Sequence, residues 1–270
     1  MVDKLTIMLA QLNPTVGAVE ANASMARKVH SEAVTADADL LVFTELFICG
    51  YPPEDLVLKP AFVKSCMAAV ESLANLTRDS KTAMLITSPW ADSGNLYNAA
   101  ILLDNGKVDS IRYKHDLPNY GVFDEKRVFD AGPAPGPVNF RGVRIGVPIC
   151  EDIWTEETCE TLEETGAEIL IVPNGSPFER DKQDVRLNLV VSRVTETGLP
   201  MIYLNQVGGQ DELVFDGGSF ALNGDCSLAF QMPAFSEDIE TFVFEKHDGV
   251  WSCSSTSKAL VPEGDEADYT

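Results

Sequence analysis

The sequence predicts an α/β layered fold with mixed sheets. Helical segments with one apolar stripe alternate with short, continuous apolar runs of the kind that form strands buried on both faces. The second half of the chain adds strands joined as in hairpins, which favours mixed rather than purely parallel sheets. With 270 residues, 45% of them hydrophobic, the chain is long enough to bury a large core.

The first half of the chain is predicted to alternate strands with two helices. The strands cover 5–11, 40–43, 83–86, 99–103 and 108–113, and the helices cover 21–34 and 60–80. Asn105-Gly106 is a strong hairpin turn between the last two of these strands. Cys66 falls on the apolar stripe of the second helix, where a buried structural thiol is typical.

The second half repeats the alternation and then turns to strands alone. Strands are predicted at 143–149, 169–172, 201–204, 219–222, 226–232 and 241–244, and helices at 156–165 and 184–197. Gly198 is placed to end the last helix. The acidic, apolar-poor stretch 259–270 is predicted to be a linker or tail, so one domain is expected over 1–258.

Composition narrows the classes of partner and site. A net charge of −22 makes nucleic acid an unsuitable partner. We expect a cytoplasmic protein without a membrane span, because no apolar run approaches the roughly 20 residues required and the N-terminus lacks a signal-peptide pattern. The six cysteines include no CxxC pair and no histidine at metal-ligand spacing, so neither a metal site nor a redox motif is predicted.

Reactive or polar residues follow four of the predicted strands. Glu45 follows the strand 40–43, Lys114 follows 108–113, Cys150 follows 143–149, and Ser176 lies just beyond 169–172. Ligands of layered α/β folds sit outside the carboxyl ends of strands. We therefore expect these four side chains to line one crevice.

These residue types suit acyl transfer by a thiol. A cysteine with a pKa of about 8.5 is only a few per cent thiolate at neutral pH and needs a base or a cation. Glu45 can accept its proton, and Lys114, together with the backbone N–H of Glu151, can stabilise the oxyanion of a tetrahedral intermediate. A Cys150–His115 pair is the less favoured alternative, since a structural histidine is the commoner case.

Three sequence blocks resemble those of the nitrilase, or carbon–nitrogen hydrolase, superfamily. They are Thr44-Glu45-Leu46, the segment 113–118 around Lys114, and the segment 147–154 around Cys150. Segments 47–56, 117–127 and 174–178 are similar to the glutaminase domain of glutamine-dependent NAD synthetase, a branch of that family. The resemblance runs from about residue 5 to 244.

The resemblance implies a four-layer α-β-β-α sandwich and a role for each matched residue. Glu45 would be the general base, Lys114 the oxyanion-stabilising cation and Cys150 the nucleophile that forms a thioester with the side chain of glutamine. Three residues match positions that hold glutamine in this branch: Tyr120, Ser176 and Lys182. Glu125 matches a second glutamate that many members place beside the lysine, and Trp154 would wall the pocket.

Several of these assignments leave a simpler alternative open. Glu125 lies in a charged run and could be only solvated or ion-paired, and Arg180 could replace Lys182 as the ligand. Tyr120 could be core packing, and Trp154 could be structural. Cys49, close to Glu45 in sequence, is favoured as a packing residue.

Glutamine-dependent NAD synthetases also carry an ATP-binding domain with a Ser-Gly-Gly-x-Asp-Ser loop, which this chain lacks. The resemblance therefore implies glutamine hydrolysis that releases ammonia, with amidation of deamido-NAD left to an NAD synthetase domain outside this chain. ATP and Mg²⁺ would belong to that domain, and no cofactor is predicted here. A homo-oligomer is implied. The alternatives are a free-standing amidase for another small amide and a catalytically silent interaction module.

Overall fold

Two β-sheets lie face to face between two pairs of helices in the computed structural model, which describes residues 3–254. The strands are β1 (Lys4–Gln11), β2 (Leu40–Phe43), β3 (Ala83–Asp92), β4 (Asn95–Asp104), β5 (Lys107–Tyr113), β6 (Val138–Phe140), β7 (Val143–Gly146), β8 (Ile169–Asn174), β9 (Met201–Asn205), β10 (Val207–Gln210), β11 (Leu213–Asp216), β12 (Phe220–Leu222), β13 (Leu228–Gln231), β14 (Asp238–His247) and β15 (Val250–Cys253). The helices are α1 (Val19–Thr35), α2 (Pro60–Ala74), α3 (Glu157–Glu164) and α4 (Lys182–Thr197).

Both sheets are mixed. The first has seven strands in the order β15-β14-β1-β2-β3-β4-β5, with β1, β2 and β3 parallel and the remaining pairs antiparallel. The second has six strands in the order β13-β12-β9-β8-β7-β6, with β7, β8 and β9 parallel. The hairpin β10-β11 stands apart from both sheets.

Three apolar layers fill the spaces between four layers of structure. The middle layer joins the two sheets through residues such as Leu9 and Val42 on one side and Ile171 on the other. An outer layer packs α1 and α2 on the first sheet, and it includes Cys66. The opposite outer layer packs α3 and α4 on the second sheet through residues such as Val190. The α-β-β-α sandwich is therefore confirmed.

The topology brings the ends of both sheets to a common edge. Strand β2 is parallel to β3, and two antiparallel steps through β4 restore that direction in β5, so β2 and β5 have their carboxyl ends at the same edge. Contacts between the sheets at this edge include a hydrogen bond from the Glu45 N–H to the Asn174 carbonyl, at 3.4 Å. The carboxyl ends of β2, β5 and β8 thus meet.

The sequence placed some element boundaries wrongly. The strand predicted over 143–149 stops at Gly146, and Pro148, which has no N–H to donate to a ladder, lies just beyond. The helix predicted over 60–80 ends at Ala74 and continues only as a short 3₁₀ turn. The hairpin β10-β11 and the edge strand β15 were not predicted. The predicted domain boundary at 258 and the acidic tail 259–270 lie outside the described residues.

Within residues 3–254, no helix is both long enough and apolar enough to cross a membrane.

We expect the layer between the sheets to dominate stability. Val42→Ala removes two buried methyl groups from a fully buried site, so the free energy of unfolding should fall by about 2 kcal/mol. Val243→Ala is the matched control, because Val243 lies on a strand but is 36% exposed, and its effect should stay within about 0.5 kcal/mol. Urea unfolding measures both. Equal losses would contradict the assignment of Val42 to the main core.

Candidate active site

A buried ion-pair cluster lies where the strand ends meet. Lys114 Nζ is 2.7 Å from Glu45 Oε1 and 2.9 Å from Glu125 Oε1. Glu45 and Lys114 are completely buried, and Glu125 nearly so. Burial lowers the pKa of Lys114, but the charges of Glu125 and Glu45 outweigh that effect and hold this pKa well above its usual value. Lys114 therefore remains a cation.

Two further groups fix the carboxylate of Glu45. Asn98, on β4, donates from Nδ2 to Glu45 Oε1 at 2.8 Å, and the backbone N–H of Gly175 donates to Glu45 Oε2 at 2.9 Å. Position 175 requires glycine, because a Cβ there would lie 2.7 Å from the ring of Tyr51. The carboxylate is thus held from the first sheet and from the end of β8 together.

Glu125 completes the cluster from a short 3₁₀ turn, Glu125–Arg127. Its Oε1 accepts the hydroxyl hydrogen of Tyr51 at 3.0 Å as well as the contact from Lys114. Burial raises the pKa of Glu125 to about 7, although Lys114 acts against the rise. Of the two simpler alternatives for Glu125, the solvated side chain is wrong because the residue is buried, and the ion pair is present with Lys114.

Cys150 stands at a sharp turn just after the second sheet's β7. Its φ is +47°, in the left-handed region that non-glycine residues rarely adopt, and Leu46, next to Glu45, has the same value. The thiol is buried. Burial and the charge of Glu45 raise the pKa of Cys150 well above its usual value, and Lys114 only partly opposes them. A thiol whose pKa lies above its usual value needs a base before it can attack.

Asp152 ties the turn of Cys150 to the strand end of Lys114. Its Oδ1 accepts the backbone N–H groups of His115 and Asp116 at 2.9 and 2.7 Å, and its Oδ2 accepts that of Ile149 at 2.8 Å. These three amides flank Lys114 on one side and Cys150 on the other. The fully buried carboxylate therefore fixes the lysine and cysteine segments relative to each other.

Tyr120 and Glu151 form a polar pair near the protein surface. The Tyr120 hydroxyl lies 2.9 and 3.1 Å from the two carboxylate oxygens of Glu151. Tyr120 is 51% exposed, so the core-packing alternative is wrong. Burial and Glu151 raise its pKa, and Cys150 adds to the rise while Lys114 opposes it, which places the pair within electrostatic reach of the cluster.

Lys182 and Trp154 make a second pair. Lys182 Nζ lies 5.4 Å from the centroid of the Trp154 ring and 3.6 Å from Glu179 Oε2. Trp154 is 38% exposed, and Arg180, the alternative to Lys182, is exposed. Over residues 3–254, no side-chain hydrogen bond links Lys182 to Glu45, Lys114 or Cys150.

Ser176 is buried beside the glycine that holds Glu45. Its N–H donates to Asn205 Oδ1 at 2.9 Å, and its hydroxyl accepts from Arg186 Nε at 3.2 Å. The structure thus brings Glu45, Lys114 and Glu125 into direct contact and ties Ser176 to them through Gly175.

Two reactive side chains near the cluster have structural partners. His115 Nδ1 is 2.8 Å from the carbonyl oxygen of Gly132, as expected for a structural histidine. Cys49 is buried and its thiol donates to the carbonyls of Leu46 and Gly50, so the packing role predicted for it is confirmed. In the described part of the chain, no group of three His, Cys, Asp or Glu residues could hold a metal ion.

Sequence reasoning missed four residues that organise the site: Tyr51, Asn98, Asp152 and Arg186. A weak signal existed for Asn98, a lone amide leading the apolar run of β4, and for Asp152, two positions after Cys150. Tyr51 and Arg186 carried none, because their partners lie far away along the chain.

Comparison with known proteins shows one family. The carbon–nitrogen hydrolase family matches residues 6–242. Glutamine-dependent NAD(+) synthetase of Rhodobacter capsulatus is 46% identical over 270 residues, which is 100% of this chain and 49% of that protein. The structure of glutamine-dependent NAD+ synthetase from Acinetobacter baumannii matches with a TM-score of 0.88 and 35% identity, over 95% of this chain and 48% of that one.

An amidase from Nesterenkonia sp. shares the fold, with a TM-score of 0.78 and 22% identity over 94% of this chain and 92% of that one. This chain spans about half the length of the curated relatives it matches.

The effect of the Glu45 charge on the pKa of Cys150 should be measurable by titration. Glu45→Gln removes a negative charge that raises this thiol's pKa, so the thiolate should form at lower pH in the variant. Ultraviolet absorbance of the thiolate against pH measures the midpoint, and subtraction of the same titration with Cys150→Ser isolates this cysteine from the other five. An unchanged or higher midpoint would show that Glu45 does not act on the thiol.

Asp152→Ala should cost stability through three orphaned backbone donors. Loss of the partner costs about 1–3 kcal/mol for a buried N–H, here that of Ile149, and less for the partly buried N–H groups of His115 and Asp116, so the free energy of unfolding should fall by roughly 3 kcal/mol. Asp116→Ala is the control, since that side chain lies next to the same loop but its only side-chain hydrogen bond within residues 3–254 is with Thr155, at 3.3 Å. Urea unfolding that shows equal losses would contradict the role given to Asp152.

Proposed function

The chain belongs to the carbon–nitrogen hydrolase family, and from that premise we propose that it hydrolyses the side-chain amide of glutamine through a thioester on Cys150. The observation that carries the proposal is the buried cluster in which Lys114 bridges Glu45 and Glu125, within electrostatic reach of the buried thiol of Cys150.

The hydrogen bonds that Glu45 accepts support its proposed role as the base. Lys114 and Asn98 occupy both lone pairs of Oε1, while Gly175 occupies one lone pair of Oε2. Among residues 3–254, the second lone pair of Oε2 has no donor. That position can receive the proton of Cys150 as the sulfur attacks the amide carbon.

Lys114 is suited to stabilise the oxyanion. Its ammonium has three N–H donors, two of which point to Glu45 and Glu125. The third can bind the oxygen that becomes negative when the C–S bond forms, and the backbone N–H of Glu151 is a second donor. A donor held in place before the reaction stabilises the transition state without reorganisation.

The remaining steps reuse the same base. Glu45, protonated by Cys150, transfers that proton to the amide nitrogen as the C–N bond breaks, and ammonia leaves. Glu45 then takes a proton from water, whose oxygen attacks the thioester carbon. The thiolate leaves, recovers the proton from Glu45, and glutamate is released. Atoms and protons balance over the cycle, and no cofactor is required.

The rim residues supply charges that complement an amino acid. Glutamine carries an ammonium and a carboxylate on its α-carbon, so a site for it needs one anionic and one cationic partner. Glu151, hydrogen-bonded to Tyr120, offers the first, and Lys182, above Trp154, offers the second. Simple aliphatic amides make no use of either charge.

The ammonia is proposed to serve an NAD synthetase domain that amidates deamido-NAD. Support comes from the relatives, which are named glutamine-dependent NAD(+) synthetase and are about twice the length of this chain. In this proposal ATP and Mg²⁺ act in that other domain, and the protein works in the cytoplasm as a homo-oligomer.

Ammonia release from glutamine tests the proposal. Wild type should prefer glutamine to propionamide in kcat/KM, and Cys150→Ser should lose at least roughly 10³-fold in kcat, because the nucleophile is removed. Cys159→Ser, at another buried cysteine, is the matched control and should stay near wild type.

Three results would contradict the proposal in different ways. Preference for propionamide would favour the free-standing amidase. Full activity in Cys150→Ser would remove the nucleophile from the mechanism. Absence of hydrolysis with either substrate, together with an unmodified Cys150 after treatment with a glutamine-like electrophile, would favour the silent interaction module.

A further inference from the structure

Asn98, on β4, contacts both the proposed base and the backbone of the proposed cation. Its amide nitrogen donates to Glu45 Oε1 at 2.8 Å, and its backbone carbonyl oxygen accepts the N–H of Lys114, also at 2.8 Å. The residue is completely buried. The position of Asn98 is therefore a common reference for the side chain of Glu45 and the backbone of Lys114.

The amide oxygen of Asn98 gains nothing from its position. Among residues 3–254, Oδ1 is buried and has no hydrogen-bond donor. A buried acceptor without a donor costs free energy, and an apolar side chain of similar shape would avoid that cost. Packing therefore does not explain an amide at this position, whereas the N–H that the amide supplies to Glu45 does.

The hydrogen bonds to Glu45 respond differently when this residue takes up a proton. The bond from Lys114 belongs to an ion pair, at 2.7 Å, and it weakens once the carboxylate is neutral, while Lys114 retains Glu125 as a charged partner. The bond from Asn98 comes from a neutral donor, and Oε1 has a lone pair for it in either protonation state. Asn98 therefore holds the carboxyl group while the ion pair is weak.

Asn98 also affects which oxygen of Glu45 receives the proton. With Lys114 and Asn98 bound, Oε1 has no free lone pair, whereas Oε2 accepts only the Gly175 N–H from residues 3–254. Without the amide, Oε1 would regain a free lone pair, and the proton would distribute over both oxygens. A general base is effective only when the accepting atom lies within reach of the proton, so this choice of oxygen matters for the rate.

We propose that Asn98 is a positioning residue for the base. Its amide keeps Oε1 of Glu45 occupied, so that Oε2 alone takes the thiol proton, and it holds the carboxyl group in place until that proton has passed to the amide nitrogen of the substrate. Asn98 acts through Glu45 and does not touch the substrate. This inference rests on the proposed amide hydrolysis and adds a residue on which its rate depends.

Asn98→Ala tests the inference through the separate effects on kcat and KM. For glutamine, kcat should fall roughly 10- to 100-fold, because a displaced base lowers the rate, and KM should stay within about threefold of wild type. For propionamide, kcat should fall by about the same factor, since Glu45 serves both substrates. A residue that bound the α-carboxylate or α-ammonium of glutamine would instead affect glutamine alone.

Asn98→Asp tests whether the N–H donor itself matters. The introduced carboxyl group has nearly the shape of the amide, but it donates a hydrogen bond only when it is protonated. Because Lys114 stabilises the charge on Glu45, the introduced group is the one that takes up a proton as the pH falls. The ratio of kcat in Asn98→Asp to kcat in wild type should therefore rise from about pH 8 to about pH 6, whereas the same ratio for Asn98→Ala should stay constant.

Asn22→Ala is the matched control for stability. Asn22, on α1, is also buried, but both ends of its amide bond the backbone, at Thr15 and Ile48. Its loss should lower Tm and leave kcat within about twofold of wild type. Asn98→Ala should lower Tm less, because the same substitution removes the unpaired Oδ1, and it should lower kcat far more.

Four results would overturn the role of Asn98: wild-type kcat in Asn98→Ala, a rise in KM without a fall in kcat, a loss of Tm larger than that of Asn22→Ala, or a kcat ratio for Asn98→Asp that does not change with pH. If Asn98→Asp does not fold, Asn98→Ala decides through kcat, KM and Tm. Wild-type activity separates the two proposals. A wild type that hydrolyses neither amide contradicts the proposed function, whereas an active wild type with unaltered kcat in Asn98→Ala contradicts only the role of Asn98.

Discussion

The buried ion pair between Glu45 and Lys114 is the constraint on which the rest of the site depends. Two charges removed from water cost several kcal/mol each, and only a close partner and full hydrogen bonding offset that cost. The fold meets the requirement from several directions: Asn98 and Gly175 bind Glu45, and Glu125 binds the other side of Lys114. Among the described residues, these contacts leave one acceptor position on Glu45 and one N–H donor on Lys114 unoccupied. Amide hydrolysis by a thiol needs one such acceptor, for the thiol proton, and one such donor, for the oxyanion.

The two sheets contribute different parts of this arrangement, and buried polar side chains join them. Asp152 fixes the cysteine turn of the second sheet to the lysine strand of the first, and the Gly175 N–H reaches from β8 to Glu45. Arg186 continues the connection outward to Ser176. A small displacement between the sheets would therefore move Glu45, Lys114 and the segment that holds Ser176 together.

Local sequence patterns predicted the layered fold and the convergence of Glu45, Lys114 and Ser176, because buried strands and the residues that follow them are visible in short windows. The predicted length of β7 was wrong, because the strand ends at Gly146, before Pro148 and the left-handed turn at Cys150. Asn98 and Arg186 could not be assigned from local patterns. The partner of Asn98, Glu45, lies 53 residues away along the chain, and the partner of Arg186, Asp216, lies 30 residues away. Long-range hydrogen bonds of this kind depend on the sheet order, which periodicity does not specify.

In the proposed mechanism Cys150 carries the acyl group during turnover, and direct observation of that intermediate is the best test of the mechanism. Enzyme mixed with glutamine, quenched in acid during steady turnover and digested, should yield a glutamyl adduct on the peptide that contains Cys150. The adduct should react with hydroxylamine, as a thioester does, and should vanish once glutamine is consumed. Steady formation of glutamate with no adduct on Cys150, or with the adduct on another residue, would contradict the role of Cys150 as the nucleophile.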